Sequence, residues 1–578
     1  VGGPGFAARR EALSAEVADL GQRAFALGDL AKDGGAWSRL LRSVDRLRIE
    51  LGELRSIAAC AAATDATSTV ARAAEAAMDD VVATLLQVSV TIEAGVDATG
   101  DADFARFLAR EEIEPLRPWL THLREGGALR LPPALEALKV AMDREAVLGW
   151  GRLYDLVSGT LTATLEIDGG SRTVGVAEAT ALRSVPDRAT RHAAHQALDD
   201  AWAGVRDLCA HTLTQITGAR LQHHDRLGVD ELAHTLHENR VSRATLDALW
   251  AGADEARPAL VRYLGWKARQ LGRERLAWAD LDAPLPTGDR PSTWSWDEAA
   301  GLVADAFGGF HPKLADFARE AVVGRWIDAL PREGRRPGGF CTELPRSNES
   351  RIFMTFGGSL EHASVLAHEL GHAFHNRVLA GVPASRAEIV SATAETASTF
   401  AEAVLRDRLL ASAVDPLFRT FMVDQQLQAA TAFLMDIPAR FAFERRLYEL
   451  RREGVFDPDR LDAEMLTAQE RSYGGGLADG FARFWCAKLH FYIPEFGFYN
   501  WPYTFGYLFS AAVHRRAVAE GPSFLATFEE LLGRTGWQDT EGLARDVLGV
   551  DLTDPAFWRE AARPIVEQVD ALTAPAAA

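Results

Sequence analysis

Cysteine is scarce: the 578-residue chain holds four, Cys60, Cys209, Cys341 and Cys486, too scattered for a disulfide framework or a paired-cysteine metal site. A reducing compartment is expected. No run reaches the about eighteen consecutive apolar residues of a membrane span, and the opening VGGPGFAARREALSAE lacks a signal peptide's apolar core. The expected location is therefore cytoplasmic. Positive charge is also in deficit, with 62 Lys plus Arg against 81 Asp plus Glu, a net charge of −19. That balance repels phosphate backbones and anionic bilayers, so nucleic acid and membranes are poor partners. No repeat of fixed period is present. Tyr473-Gly474-Gly475-Gly476 has neither the preceding strand nor the following basic residue of a phosphate loop, and is expected to be a flexible turn or hinge.

What is present is a globular composition, 48% hydrophobic and 25% charged. From Glu11 to about Ala146 apolar residues recur at three- and four-residue steps, the pattern of amphipathic helices. TLTATLEIDGGSRTVGV, between Thr160 and Val176, alternates around Asp168-Gly169-Gly170 and predicts a β-hairpin. Helical periodicity resumes over Asp187 to Leu213, Arg243 to Leu271 and Trp296 to Gly324, with the proline-rich break APLPTGDRPSTW before the last. RRPGGFCTELPRSNESRIFMTFGG predicts a small strand pair, and the remainder is expected to be helical to about Val569, ending in an Ala/Pro tail. His223-His224, His234 and His237 have no acidic or cysteine spacing beside them and are expected to be surface histidines.

The chemistry lies in His368-Glu369-Leu370-Gly371-His372. Residues four apart share a helix face, so the two imidazoles can present nitrogens to one tetrahedral Zn²⁺. Glu369, one step round, falls beside the metal, where it can take a proton from water whose pKa the metal lowers. A His-Glu-x-x-His string arises by chance in roughly three of a hundred such chains. The apolar helix SLEHASVLAHELGHAFHNRVLAG strengthens the metal reading, because burying two histidines and a glutamate there without a metal would be costly. A third ligand is needed, and the next helix, SRAEIVSATAETASTFAEAVLRDRLL, offers Glu388, Glu395 and Glu402, spaced by sevens. Periodicity alone does not choose among them. The break at Gly381-Val382-Pro383 lets that helix fold back beside the motif.

LAHELGHAFH followed by AETASTFAEAVL resembles the oligoendopeptidase F family, relatives of the thimet-type oligopeptidases. The resemblance extends to RPGGFCT, RIFMTFGG, HENRVSRATLDALWAGADEARPALVRYLGWKARQLG and KLHFYIPEFGFYNWPYTFGYL, covering roughly residues 110 to 565. It implies a mainly α, two-lobed, zincin-like metallopeptidase with a deep substrate channel and a small β-sheet beside the active-site helix. The implied division is a helical lobe at 1–115, a segment with a hairpin at 116–195 and the zinc catalytic domain at 196–570. The family's ligands fall on His368, His372 and Glu395, holding one zinc per chain, with Glu369 as base. Glu402 and His375 become candidates for orienting a ligand histidine. The resemblance also places oxyanion donors in the aromatic segment, at His490, Tyr499, Tyr503 and Tyr507. There the chain departs from the family in having Trp501 for a second tyrosine and Lys488 for a less polar residue.

Gly338, Gly339 and Phe340, with Phe353 nearby, read as an edge strand able to bind an extended peptide through its main chain. The expected function is hydrolysis of internal bonds of short peptides by a cytoplasmic zinc oligoendopeptidase, monomer or homodimer. The alternatives are a helical zinc carboxypeptidase and a peptide-binding homologue without catalysis.

Overall fold

The computed structural model describes residues 1–167, 169–286, 293–336 and 338–574. Asp168 of the expected hairpin turn, residues 287–292 of the proline-rich break, Pro337 and the tail from 575 lie outside the described residues. The chain forms two compact units. The first comprises Val1–Pro133, Pro291–Ala411 and Ser510–Val550; the second comprises Ala134–Arg290, Ser412–Phe509 and Asp551–Ala578. Each is built from three separate stretches of the chain.

In the first unit, helices Pro4–Ala26, Gly34–Thr64 and Thr69–Ala98 pack on one another. Their apolar stripes meet: Leu13, Val17 and Leu20 from the first, Trp37, Leu41 and Val44 from the second, and Met78, Val81 and Ile92 from the third. Each such side chain, fully buried, contributes about 1.5–3 kcal/mol over an exposed one. Thr69–Ala98 is long and apolar enough, by length and composition, to cross a membrane. Met78, Val81, Leu85, Val88, Ile92 and Val96 are buried on its inner face, while 28% of its most apolar stretch is buried in all.

The expected strand pair is present as Phe340–Leu344 antiparallel to Glu349–Phe353, with Phe340 opposite Phe353 and Leu344 opposite Glu349. A third short strand, Ile327–Asp328, pairs parallel on the other side of Glu349–Phe353 and was not expected; two residues are too few to show a period. Phe340–Leu344 is thus an outer strand. Alternation sends its side chains to opposite faces. Thr342 Oγ1 lies 2.6 Å from Ser56 Oγ on helix Gly34–Thr64, whereas Cys341 Sγ accepts from Asn376 Nδ2 of the motif helix at 3.8 Å. The sheet is therefore layered between those two helices.

In the second unit, Thr162–Ile167 pairs with Gly170–Gly175 in the expected hairpin. Ala163, Leu165 and Val174 of the hairpin pack on Ala194, Ala197 and Leu198 of helix Arg188–Ala203. Helix Arg243–Gln270 packs along Pro555–Thr573. The expected helix over 187–213 is two, Arg188–Ala203 and Arg206–Leu227. That over 296–324 likewise breaks at His311, ahead of Pro312, which lacks a backbone donor.

The Gly474-Gly475-Gly476 segment is a packed turn at a helix end. Gly474 and Gly475 have φ of +55° and +72°, and Gly476 N donates to Tyr473 O at 2.9 Å. The expected surface histidines also differ: His224 is 6% exposed and its ring lies 5.2 Å from that of His234. Burial pushes the pKa of both His223 and His224 down to about 4, so each packs as a neutral ring.

Candidate metal centre

The motif helix is Leu360–Val378. Ser359 caps it, its Oγ accepting from His362 N at 3.2 Å, while Ser359 N donates back to His362 Nδ1 at 3.3 Å. From that cap Leu366, Leu370 and Ala373 fall on the buried face, and His368 and His372 share another. The chain turns at Gly381, with φ +79°, and runs back without regular structure until Ser391. One helical turn, Ser391–Ala394, precedes Glu395, and Thr396–Ser412 follows it. The single helix expected through Glu388, Glu395 and Glu402 is therefore interrupted, and Glu388 is outside it. Glu388 instead lines a cavity of about 680 Å³ with Asp45, Arg48 and Arg377, none of them a candidate ligand.

Three donors converge. His368 Nε2 and His372 Nε2 are 3.2 Å apart, and Glu395 Oε2 lies 3.4 Å from the first and 3.6 Å from the second. Bonds of about 2.0–2.1 Å to a tetrahedral zinc set the distance between neighbouring ligand atoms at about 3.3–3.4 Å. The donors sit at that spacing, and two imidazoles with a carboxylate suit zinc. Side chains here are about a quarter exposed, 26%, 25% and 27%, so one side of the cluster is open to solvent. Among the described residues this is the one group of three such side chains able to hold a metal.

The supporting contacts fix the donors. His368 Nδ1 lies 2.6 Å from Glu402 Oε1, which places the ring proton on Nδ1 and leaves the Nε2 lone pair toward the cluster. Ser364 Oγ donates to Glu402 Oε2 at 3.2 Å. Burial opposes charge on His368, but the hydrogen bond and charge of Glu402, with Glu395 and Glu369, outweigh it and raise its pKa. Ser398 Oγ donates to Glu395 Oε2 at 2.7 Å. Gly371 permits the approach of the two helices, since a Cβ there would sit 2.5 Å from Ala397 O. Neither Ser398 nor Gly371 was singled out from sequence, although a glycine inside a helix is a signal of close backbone approach.

His375, expected to support a ligand, is directed elsewhere: Nε2 donates to Leu532 O at 3.1 Å, and burial pushes its pKa down to about 4. It ties the motif helix to Leu525–Gly533.

Glu369 is 6% exposed and its Oε2 is buried without a hydrogen-bond partner. Burial, reinforced by Glu395 and Glu402 and opposed by His368, pushes its pKa up to about 7. Beside it runs the outer strand: a Cβ on Gly339 would lie 3.5 Å from Glu369 Oε1. Phe340 and Phe353 stack with centroids 5.3 Å apart, and the Arg335 guanidinium lies 4.2 Å over Phe353. Gly338 precedes this strand with φ +93°.

The aromatic candidates lie in the second unit. His490 and Tyr499 have ring centroids 5.4 Å apart, and Tyr499 and Tyr503 6.0 Å. Burial, aided by Arg440 and Lys488, pushes the His490 pKa down to about 4, so it is neutral at neutral pH. Tyr507 stacks on Phe433 at 4.5 Å.

Residues 308–561 match peptidase family M3. Oligopeptidase PepF of Bacillus subtilis is 24% identical over 343 residues, covering 58% of this chain and 50% of the relative. Group B oligopeptidase PepB of Streptococcus agalactiae is 23% identical over 397 residues, 67% of this chain and 64% of the relative. The matched stretches thus span half to two thirds of these relatives' lengths. Oligoendopeptidase-F of Enterococcus faecium superposes with a TM-score of 0.73 at 18% identity, covering 98% of both chains. A Chlamydophila abortus structure superposes with a TM-score of 0.81 at 17% identity, covering 97% of this chain and 96% of that one. These likenesses establish the fold. The family match over residues 308–561, the two oligopeptidase relatives and the cluster on the motif helix agree, and together they support the oligoendopeptidase F family.

Proposed function

We propose that the protein is a cytoplasmic zinc oligoendopeptidase, holding one zinc per chain and hydrolysing internal bonds of short peptides. The observation that carries this reading is the spacing of His368, His372 and Glu395, 3.2 to 3.6 Å, with the unpartnered carboxylate oxygen of Glu369 next to them in sequence. Four free cysteines support a reducing compartment.

When bound, zinc supplies Lewis acidity toward a scissile carbonyl and toward water. Glu369, beside the cluster with a carboxylate oxygen that has no hydrogen-bond partner, accepts the proton of the attacking water and returns it to the leaving amine. Glu402 holds His368 in one tautomer throughout. The outer strand, with Gly338, Gly339, Phe340 and Phe353, receives an extended peptide by main-chain pairing, which is indifferent to most side chains. His490, Tyr499, Tyr503 and Tyr507 are assigned the oxyanion by resemblance; as neutral donors they add no charge competing for the metal.

The test is product analysis on a peptide acetylated at its N-terminus and amidated at its C-terminus. Internal cleavage is expected. Release of residues only from free C-termini would sink the reading in favour of a carboxypeptidase, and binding without cleavage at full zinc content would favour a non-catalytic homologue. In Glu369→Gln, activity should fall by orders of magnitude while zinc stays near one per chain.

A further inference from the structure

The segment from Ile493 to Asn500, just ahead of helix Trp501–Glu520, has no regular structure. Side chains of surrounding helices nevertheless bind its backbone and flank. Arg220, on Arg206–Leu227, donates from Nη2 to Ile493 O, and to Phe496 O at 2.6 Å. Glu444, on Ile437–Glu453, accepts from Phe498 N at 2.7 Å through Oε1. The Arg220 Nη1 and Glu444 Oε1 atoms are 3.7 Å apart, with side chains 12% and 3% exposed. At the far end, Arg440 Nη1 donates to Asn500 Oδ1 at 3.0 Å and Trp501 Nε1 to Thr235 Oγ1 at 3.0 Å.

The grip centres on an unfavourable conformation. Phe498 has φ +57°, a left-handed backbone that residues with a Cβ avoid. Its ring is stacked on Tyr448, 5.4 Å between centroids at 12°, and lies 5.3 Å from Phe441. Its N–H donates to Glu444 in a site where Phe498 is 1% exposed. Such a conformation persists only where the surroundings over-determine it, and such sites cluster where a side chain must be aimed. The residue so aimed is Tyr499, whose ring lies beside His490.

We propose that the buried Arg220–Glu444 pair is a positioning device for Tyr499: by holding the carbonyls of Ile493 and Phe496 and the N–H of Phe498, it sets the direction of the Tyr499 side chain. Neither side chain touches substrate. A carboxylate is used because it is a stronger acceptor for one buried N–H than a neutral group, and the guanidinium because its Nη2 serves both carbonyls while Nη1 faces Glu444. The proposal rests on the reading of Tyr499 as an oxyanion donor.

The test uses the zinc-loaded full chain and the variants Glu444→Ala, Glu444→Gln, Arg220→Lys and Tyr499→Phe. In Glu444→Ala we expect kcat to fall about 10- to 100-fold, as for a displaced catalytic group, with KM and zinc content little changed. Exchange of the Phe498 amide should rise at least about ten-fold as its acceptor is lost. Glu444→Gln keeps an oxygen for that N–H and should restore most of kcat. Adding Glu444→Ala to Tyr499→Phe should change kcat little further, because both act through one hydroxyl. If Glu444→Ala does not fold, Arg220→Lys, which keeps the charge but not the fork, decides by the same measurements. Unchanged kcat and unchanged Phe498 exchange would overturn the proposal, as would a loss in Glu444→Ala that Gln does not restore or that persists in full on Tyr499→Phe. Should Tyr499→Phe alone leave kcat unchanged, the donor reading fails, and the exchange at Phe498 still decides whether the pair holds the segment.

Discussion

His368 Nδ1 and Glu402 Oε1 are 2.6 Å apart, and this contact fixes which ring nitrogen of His368 faces Glu395 and His372. A neutral imidazole has one donor and one acceptor nitrogen, so a carboxylate taking the Nδ1 proton leaves Nε2 as a lone pair. Glu402 itself is held by Ser364 at 3.2 Å. Glu402→Ala should weaken zinc binding by about 10- to 100-fold, the range for loss of an orienting partner. Glu402→Gln, whose carbonyl can still accept the Nδ1 proton, should lose less. Competition against a chromophoric chelator measures both. Equal affinity in wild type and Glu402→Ala would show that the ring needs no orienting partner.

The motif helix and its chemistry were legible because they combine two local signals, a 3.6-residue period and two histidines four apart. The choice of Glu395 was not legible from spacing. Glu388, Glu395 and Glu402 repeat by sevens, but a helix through all three does not form: the backbone is irregular before Ser391, and Glu395 sits at the junction of two helical pieces. That junction places Glu395 at the cluster and leaves Glu402, two turns on, to reach the other nitrogen of His368. Family resemblance pointed to Glu395 where periodicity left three open, and Glu395 is the one of the three whose carboxylate groups with both histidines. His375 shows the opposite failure. Three residues beyond His372 it is close in sequence to the ligands, yet its ring points to Leu532, a contact 157 residues away that no local pattern reveals. His224 was likewise placed at the surface, because the packing that buries it against His234 joins two separate helices.

Gly371 separates the two helices of the site by no more than its missing side chain. A Cβ there would lie 2.5 Å from Ala397 O and 2.6 Å from Ser398 Cα, both backbone atoms that cannot step aside alone. Alanine would gain about 0.8–1.0 kcal/mol in helix propensity, but overpacking typically costs about 1–3 kcal/mol. The clash falls two and three residues after Glu395, so the loss should show in the metal site: Gly371→Ala is expected to lower both the melting temperature and zinc affinity, the latter at least about ten-fold. Gly301 is the control. It lies within helix Trp296–Phe310 with nothing within 4 Å of an added Cβ, so Gly301→Ala should stabilise by about 0.5–1 kcal/mol and leave zinc binding alone. Similar behaviour of the two variants would refute the close-approach account.

Asp328 anchors the sheet beside the motif helix, and its charge predicts a specific response to acid. Arg332 Nη2 and Arg335 Nη1 each lie 2.7 Å from its carboxylate, and Thr64 Oγ1 donates to it at 3.1 Å. Arg335 also donates to Met354 O at 2.6 Å, tying the pair to the end of Glu349–Phe353. The hydrogen bond from Arg332 comes first in holding the Asp328 pKa down, from 3.8 to about 2; burial opposes it and Arg335 reinforces it. Because the folded value is the lower one, the ionised form is favoured by folding. The contribution is present in full above the unfolded pKa near 3.8 and is lost as pH falls toward 2. Taken at face value the depression amounts to about 2.4 kcal/mol. With a side chain 33% exposed, solvent screening reduces the expected contribution to about 1 kcal/mol. Asp328→Asn should therefore melt below the wild type at pH 6, and the gap between them should narrow steadily between pH 4 and pH 2.5. Calorimetry of both proteins across that range checks the sign: a gap that widened on acidification would mean that Asp328 is held above, not below, its ordinary pKa.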